Sequence, residues 1–137
     1  MAAICPNEGK KLLAELCVKR ILTNRDPDLW LGLFTGPASP GLGTVYTDLQ
    51  EPSGTGYARK TLTDGSWTTS GTNPAIETYA AQTFTAGGTW SNGNVYGYFI
   101  ATKGASPKII SIELTTGGPF SFVNTDAITV TPVINLS

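Results

Sequence analysis

The chain contains no histidine, so the usual general base of serine and cysteine nucleophile systems and the commonest catalytic metal ligand are both missing. Acid–base chemistry would fall to carboxylates. Asp48 with Glu51, or Asp126 with Glu113, would suit glycoside cleavage if the fold held them about 5–9 Å apart. Asn24, Asp26 and Asp28 occupy the first, third and fifth positions of a calcium loop, where alternating oxygens converge on a hard cation. The sixth position is Leu29 rather than Gly and the twelfth Thr35 rather than Glu, so a helix stop followed by a turn accounts for the triplet. Gly9-Lys10-Lys11 lacks the upstream glycine and following hydroxyl of a phosphate loop, and Gly54-Thr55-Gly56 does not lie between a strand and a helix. Cys5 and Cys17 match no zinc spacing and would close only a small loop, so free thiols are expected. These residues predict no catalytic centre, no metal and no cofactor.

Aromatic side chains are the other chemical resource. Trp67, Tyr79, Trp90, Tyr96 and Tyr98 could stack on sugars or on single-stranded bases. Base stacking needs a basic groove, and only Lys103 and Lys108 lie near them in sequence, against a formal net charge of −1; a nucleic-acid partner is not expected. Tyr96 and Tyr98 alternate with Val95 and Gly97, and Phe99 and Ile100 extend the run, so packing within and across strands is their default role. No apolar run approaches the roughly 20 residues of a membrane span. The first nine residues lack the pattern of a signal peptide, and folding in the cytoplasm without a membrane partner is expected.

The elements that must position these residues are mostly strands. In 137 residues, 16 Gly and 9 Pro with only 14% charged residues describe short strands and tight turns, and the length suits one domain. From Asn7 to Thr23, Leu12, Leu13, Leu16, Cys17 and Ile21 recur at helical spacing. Asn7 is the expected cap, with Glu8 in the first turn and Lys19 and Arg20 in the last. Strands are predicted at Leu29–Phe34, Tyr57–Leu62, Ser66–Thr69, Thr78–Thr85, Val95–Ala101, Lys108–Leu114 and Phe120–Val123. The loop GPASPGLG is expected to be exposed.

In the last segment Ile128, Val130, Ile134 and Leu136 share one face. Pro132 there predicts an edge or a bulge, with the chain end bending or crossing between sheets. The expected architecture is all-β: a single β-sandwich, jelly-roll-like, over residues 26–137, preceded by an amino-terminal arm and amphipathic helix over 1–25.

Five of the nine basic residues, Lys10, Lys11, Lys19, Arg20 and Arg25, fall in the first 25 positions, which marks this segment as a separate contact element. Its leucine stripe can pack on the body of the same chain, the reading slightly favoured, or face a neighbouring subunit.

An ordered set of motifs resembles a family of small tailed-bacteriophage virion proteins over nearly the whole chain. The set is Pro6-Asn7-Glu8-Gly9 before the helix, LWLGLF, GTGYARKTL from Gly54, the Trp67 strand, VYGYFI from Val95, and GGPFSF leading to ITVTPVINLS. The resemblance implies a structural, non-enzymatic component of the particle. One compact domain with an arm suits a capsid cement or decoration protein, binding the major capsid protein and a second or third copy of itself. It would be assembled in the host bacterial cytoplasm and carried on the capsid surface. The expected contacts are Lys10, Lys11, Leu12, Leu13, Leu16, Arg20, Arg25 and Leu136. The alternative implied placement is a tail or fibre-associated, carbohydrate-binding component, with Trp67 or Trp90 as an exposed platform.

Overall fold

The computed structural model describes residues 3–19, 26–72 and 75–136, and of residues 14–19 the backbone alone. Within them the chain is mostly β, with several antiparallel sheets and one short helix. The helix α1 covers Asn7–Lys19. The strands are β1 (Leu29–Phe34), β2 (Lys60–Leu62), β3 (Thr68–Ser70), β4 (Ala75–Thr78), β5 (Gln82–Thr85), β6 (Gly97–Thr102), β7 (Ile109–Leu114), β8 (Ala127–Val130) and β9 (Val133–Leu136).

Four strands form a sheet in the order β2-β1-β6-β7. Its central strands read as unbroken apolar runs because both faces are covered. On one face Leu31, Leu33, Leu62, Tyr98 and Ile100 join a cluster that also takes in Phe84, Ile128, Val130 and Ile134 from β5, β8 and β9. On the other face Phe34, Phe99, Ala101, Ile109 and Ile112 pack beneath Tyr46 and Leu49.

The remaining strands form the sets β3-β4-β9 and β5-β8. Ala75 to Thr78 pair with Leu136 to Val133, and Gln82 to Thr85 with Val130 to Ala127. Tyr79 N–H donates to the Pro132 carbonyl at 3.0 Å, so one ribbon is continuous through both sets. The register slips by one residue at Thr131-Pro132, where proline has no N–H to offer the ladder. The bend expected at Pro132 is therefore a change of partner, from β5 to β4.

Several expected boundaries move. The stretch read as one strand over Thr78–Thr85 is the end of β4, a break at Tyr79–Ala81, and β5. Phe120–Val123 forms no strand; Phe120 bridges Val95, and the Phe122 carbonyl accepts from Trp90 N–H. Asn7 is already helical, since Lys10 N–H reaches back to the Pro6 carbonyl at 3.0 Å, which puts Pro6 rather than Asn7 at the cap position.

Of the expected arm, Ile4 pairs with Ile112 in antiparallel fashion along the outer edge of β7, and α1 packs on the same strand. Gly9 permits that approach: a Cβ there would lie 2.5 Å from the Ile109 carbonyl oxygen. The described part of residues 1–25 thus lies on its own sheet, in line with the favoured self-packing.

Candidate functional site

Loop 36–50 and the first turn of α1 form one surface. The loop's ends are tied by reciprocal bonds, Thr35 N–H to the Gln50 carbonyl at 2.8 Å and Gln50 N–H to the Gly36 carbonyl at 3.1 Å. A segment of this length with joined ends and its own side chains packed inward is an Ω-loop. Tyr46 meets Phe99 edge to face, with ring centroids 6.0 Å apart. Tyr46 is half-buried and Thr44 buried; within GPASPGLG, expected to be exposed, Ala38, Ser39, Leu42 and Gly43 are exposed and Pro40 is buried.

Glu8 fixes the helix to this cover. Its Oε1 accepts from Tyr46 N–H at 3.0 Å and from Ile109 N–H at 2.7 Å, and Lys108 Nζ lies 3.8 Å from its Oε2. Asn7 N–H donates to the Leu42 carbonyl at 2.8 Å. One carboxylate therefore joins helix, loop and β7, satisfying two backbone donors outside any ladder.

A second carboxylate holds the other end of the loop. Glu51 accepts from Arg59 Nε at 2.9–3.0 Å and from Arg59 Nη2. The guanidinium carbon of Arg59 lies 4.6 Å from the ring centre of Trp30 and 5.4 Å from that of Tyr46, within cation–π range. Tyr57 enters from the opposite face, its ring 6.0 Å from Phe84 and 5.5 Å from Trp90. Its hydroxyl donates to Glu51 Oε1 at 2.6 Å and accepts from Leu33 N–H at 3.1 Å. It thereby replaces the ladder partner that β1 lacks beyond β2. Burial foremost, and then the bond to Glu51, push the Tyr57 hydroxyl well above the ordinary tyrosine range. The bond to Glu51 is the main cause raising Arg59.

Outward, this surface presents two apolar side chains, two lysines and the exposed carboxylate of Asp48 next to Val45. Leu42 and Val45 at the loop tip are 51% and 37% exposed, and Lys10 and Lys11 are exposed on the adjoining helix. Leu42 and Val45 were not among the expected contacts; a solvent-facing apolar pair inside a loop has no periodicity to reveal it.

The other expected contact residues divide. Leu12 is corrected: at 7% exposure it belongs to the apolar core and is not on the surface. Leu13 is half-buried. The side chain of Leu16, together with Arg20 and Arg25, lies outside the described residues. Leu136 is exposed, but it stands on β9 in register with Ala75, on a different sheet from the one carrying the helix.

The proposed chemical groups have specific local partners. Asp48 Oδ2 accepts from Val45 N–H and Asp126 Oδ2 from Val123 N–H, both at 2.9 Å, while Glu113 accepts from the buried Tyr98 hydroxyl at 2.8 Å. Asp26 accepts from Asp28 N–H at 3.0 Å and pairs with Lys103 at 3.3 Å, and Asp28 accepts from Asp64 N–H at 3.1 Å. Asn24 lies outside the described residues. Among those described, no three His, Cys, Asp or Glu residues are grouped as metal ligands. Burial raises the Cys5 thiol, which is free; the side chain of Cys17 is outside the described set. No helix among the described residues is long and apolar enough to cross a membrane.

Trp90 is corrected as a sugar platform. It is buried, stacked on Phe122 at 4.8 Å, and its Nε1 donates to the Thr55 carbonyl at 3.0 Å. Trp67 is only half-buried. It meets Tyr79 edge to face at 5.2 Å and lines an open groove of about 310 Å³. A second groove, about 420 Å³, lies between Phe120–Phe122 and β8.

The motifs quoted above have structural positions: LWLGLF is β1, VYGYFI runs into β6, and GTGYARKTL supplies Tyr57, Arg59 and β2. No protein-family model, curated protein or solved structure matches the chain.

Proposed function

We propose that this chain is a structural protein of a tailed-bacteriophage virion, a capsid cement that binds the major capsid protein lattice and other copies of itself. The observation that carries the reading is the pinned helix–loop surface. It carries exposed Leu42 and Val45 on a loop whose backbone is tied by Asn7 and Glu8 to the start of the helix that bears exposed Lys10 and Lys11. A rigid apolar patch with basic neighbours suits contact with an acidic protein surface at little ordering cost. Modest contacts of this kind hold firmly when repeated on a lattice. The ordered motifs support the same reading through their resemblance to small virion proteins.

The finer architecture belongs to the proposal too. The cluster shared by β1, β6, β5, β8 and β9 supports a β-sandwich, with the ribbon of β4-β9 and β5-β8 as the layer facing the four-stranded sheet.

The test is co-sedimentation of the purified chain with emptied phage capsids lacking it, with separated tails as the comparison, followed by heating of the decorated shells. Saturable binding to capsids and a higher disruption temperature are expected. Binding to tails alone would replace cement by a tail component, and binding to neither would remove the virion reading.

A further inference from the structure

The Trp67 groove is built from four parts of the chain that the helix–loop surface does not use: the start of β1, the turn before β3, β4 and β9. Pro27, Leu29 and Ile134 supply an apolar floor, Trp67 a half-buried aromatic wall, and Asp64 and Glu77 two carboxylates at the margin. Trp67 is braced by Tyr79, whose hydroxyl accepts from Thr63 N–H at 3.2 Å. Glu77 Oε1 is oriented by the Thr69 hydroxyl at 2.6 Å. Among the described residues, Glu77 Oε2 and the Asp64 carboxylate have no hydrogen-bond donor or salt-bridge partner. The volume falls at the lower end of the range of about 300–1,000 Å³ for small-ligand sites.

We propose that this groove binds a neutral oligosaccharide. A pyranose ring presents an apolar C–H face and a rim of hydroxyl donors. The first matches the indole and the floor of Leu29 and Ile134. The second matches carboxylates, which only accept hydrogen bonds when ionised and can take two vicinal hydroxyls at once. Among the described residues the lining holds two carboxylates and no basic side chain, which selects against glycans bearing uronic or sialic acids. The braced tryptophan and the oriented Glu77 reduce what binding must spend on ordering side chains. The groove shares no residue with the surface proposed to meet the capsid, so either assignment can fail alone.

The test titrates the full chain with maltohexaose, cellohexaose and chitohexaose, reading tryptophan fluorescence and heat. At least one is expected to bind with a Kd of about 1 mM or tighter. Trp67→Ala should weaken that sugar about tenfold or more, Glu77→Gln about threefold or more, and Trp30→Phe should leave it unchanged. Circular dichroism checks that each variant is folded, and Glu77→Gln carries the test if Trp67→Ala is not. Oligolysine and an oligogalacturonate are the charged comparisons. No binding by any neutral sugar, binding that survives Glu77→Gln and Trp67→Ala, or preferential binding of oligolysine would overturn the proposal.

Discussion

The two faces of the β2-β1-β6-β7 sheet are closed by different means. On one, Leu31, Leu33 and Ile100 meet Phe84, Ile128 and Val130, side chains of other strands. On the other, Phe34, Phe99 and Ile112 are covered by Tyr46 and Leu49 of an Ω-loop and by Ile4 ahead of the helix, with Glu8 and Glu51 as the fasteners. The first closure is distributed over many small contacts and tolerates adjustment. The second depends on a few directed bonds to backbone donors, so it is rigid while intact and vulnerable at single residues.

The largest expected effects are common to both faces. Phe84→Ala and Phe99→Ala remove fully buried rings and should each cost about 3–5 kcal/mol in chemical denaturation. A loss at Phe99 far smaller than at Phe84 would mean that the loop is a loose cover and would break the comparison. Glu8→Ala strands Tyr46 N–H and Ile109 N–H, each worth about 1–3 kcal/mol if unsatisfied. We expect a total near 2–3 kcal/mol, with limited proteolysis cutting first within residues 36–50. Glu8→Gln keeps an acceptor oxygen and should lose roughly half as much. Gly9→Ala drives a methyl into the Ile109 carbonyl and should cost about 1–3 kcal/mol by lifting the helix from β7.

Alkaline pH probes the tyrosine that joins the two faces. Burial first, then Glu51 and Glu113, hold the Tyr57 and Tyr98 hydroxyls above their ordinary range. In the unfolded chain they ionise near pH 10. Stability is therefore complete below about pH 10 and falls above it, by up to about 1.4 kcal/mol per pH unit for each group. Tyrosinate absorbance from these two should rise only with unfolding, and Tyr57→Phe should flatten the alkaline fall.

The same contrast explains what was legible in the sequence. Closure by strands leaves a local pattern: the run LWLGLF predicts Leu29–Phe34 with its observed bounds, and of the four residues expected on one face Ile128, Val130 and Ile134 are buried while Leu136 is 44% exposed. Closure by the loop leaves none. Glu8 looks like an ordinary first-turn acid, and its bond to Ile109 spans 101 positions. Tyr57 stands in a run with the composition of a strand, but its hydroxyl stands in for one. Trp90 and Trp67 look alike in sequence, and only tertiary packing buries one and leaves the other on a groove.

The smallest expected effect on stability accompanies the largest on binding. Leu42→Asp and Val45→Asp change side chains that face solvent, so together they should shift stability by no more than about 1 kcal/mol. The most direct measurement is the co-sedimentation of this double variant and the parent chain with capsids lacking the protein. The account predicts saturable binding by the parent and a loss of about tenfold or more in the variant, with both folded to the same extent. Equal binding by the two would contradict the assignment of the helix–loop surface as the capsid contact.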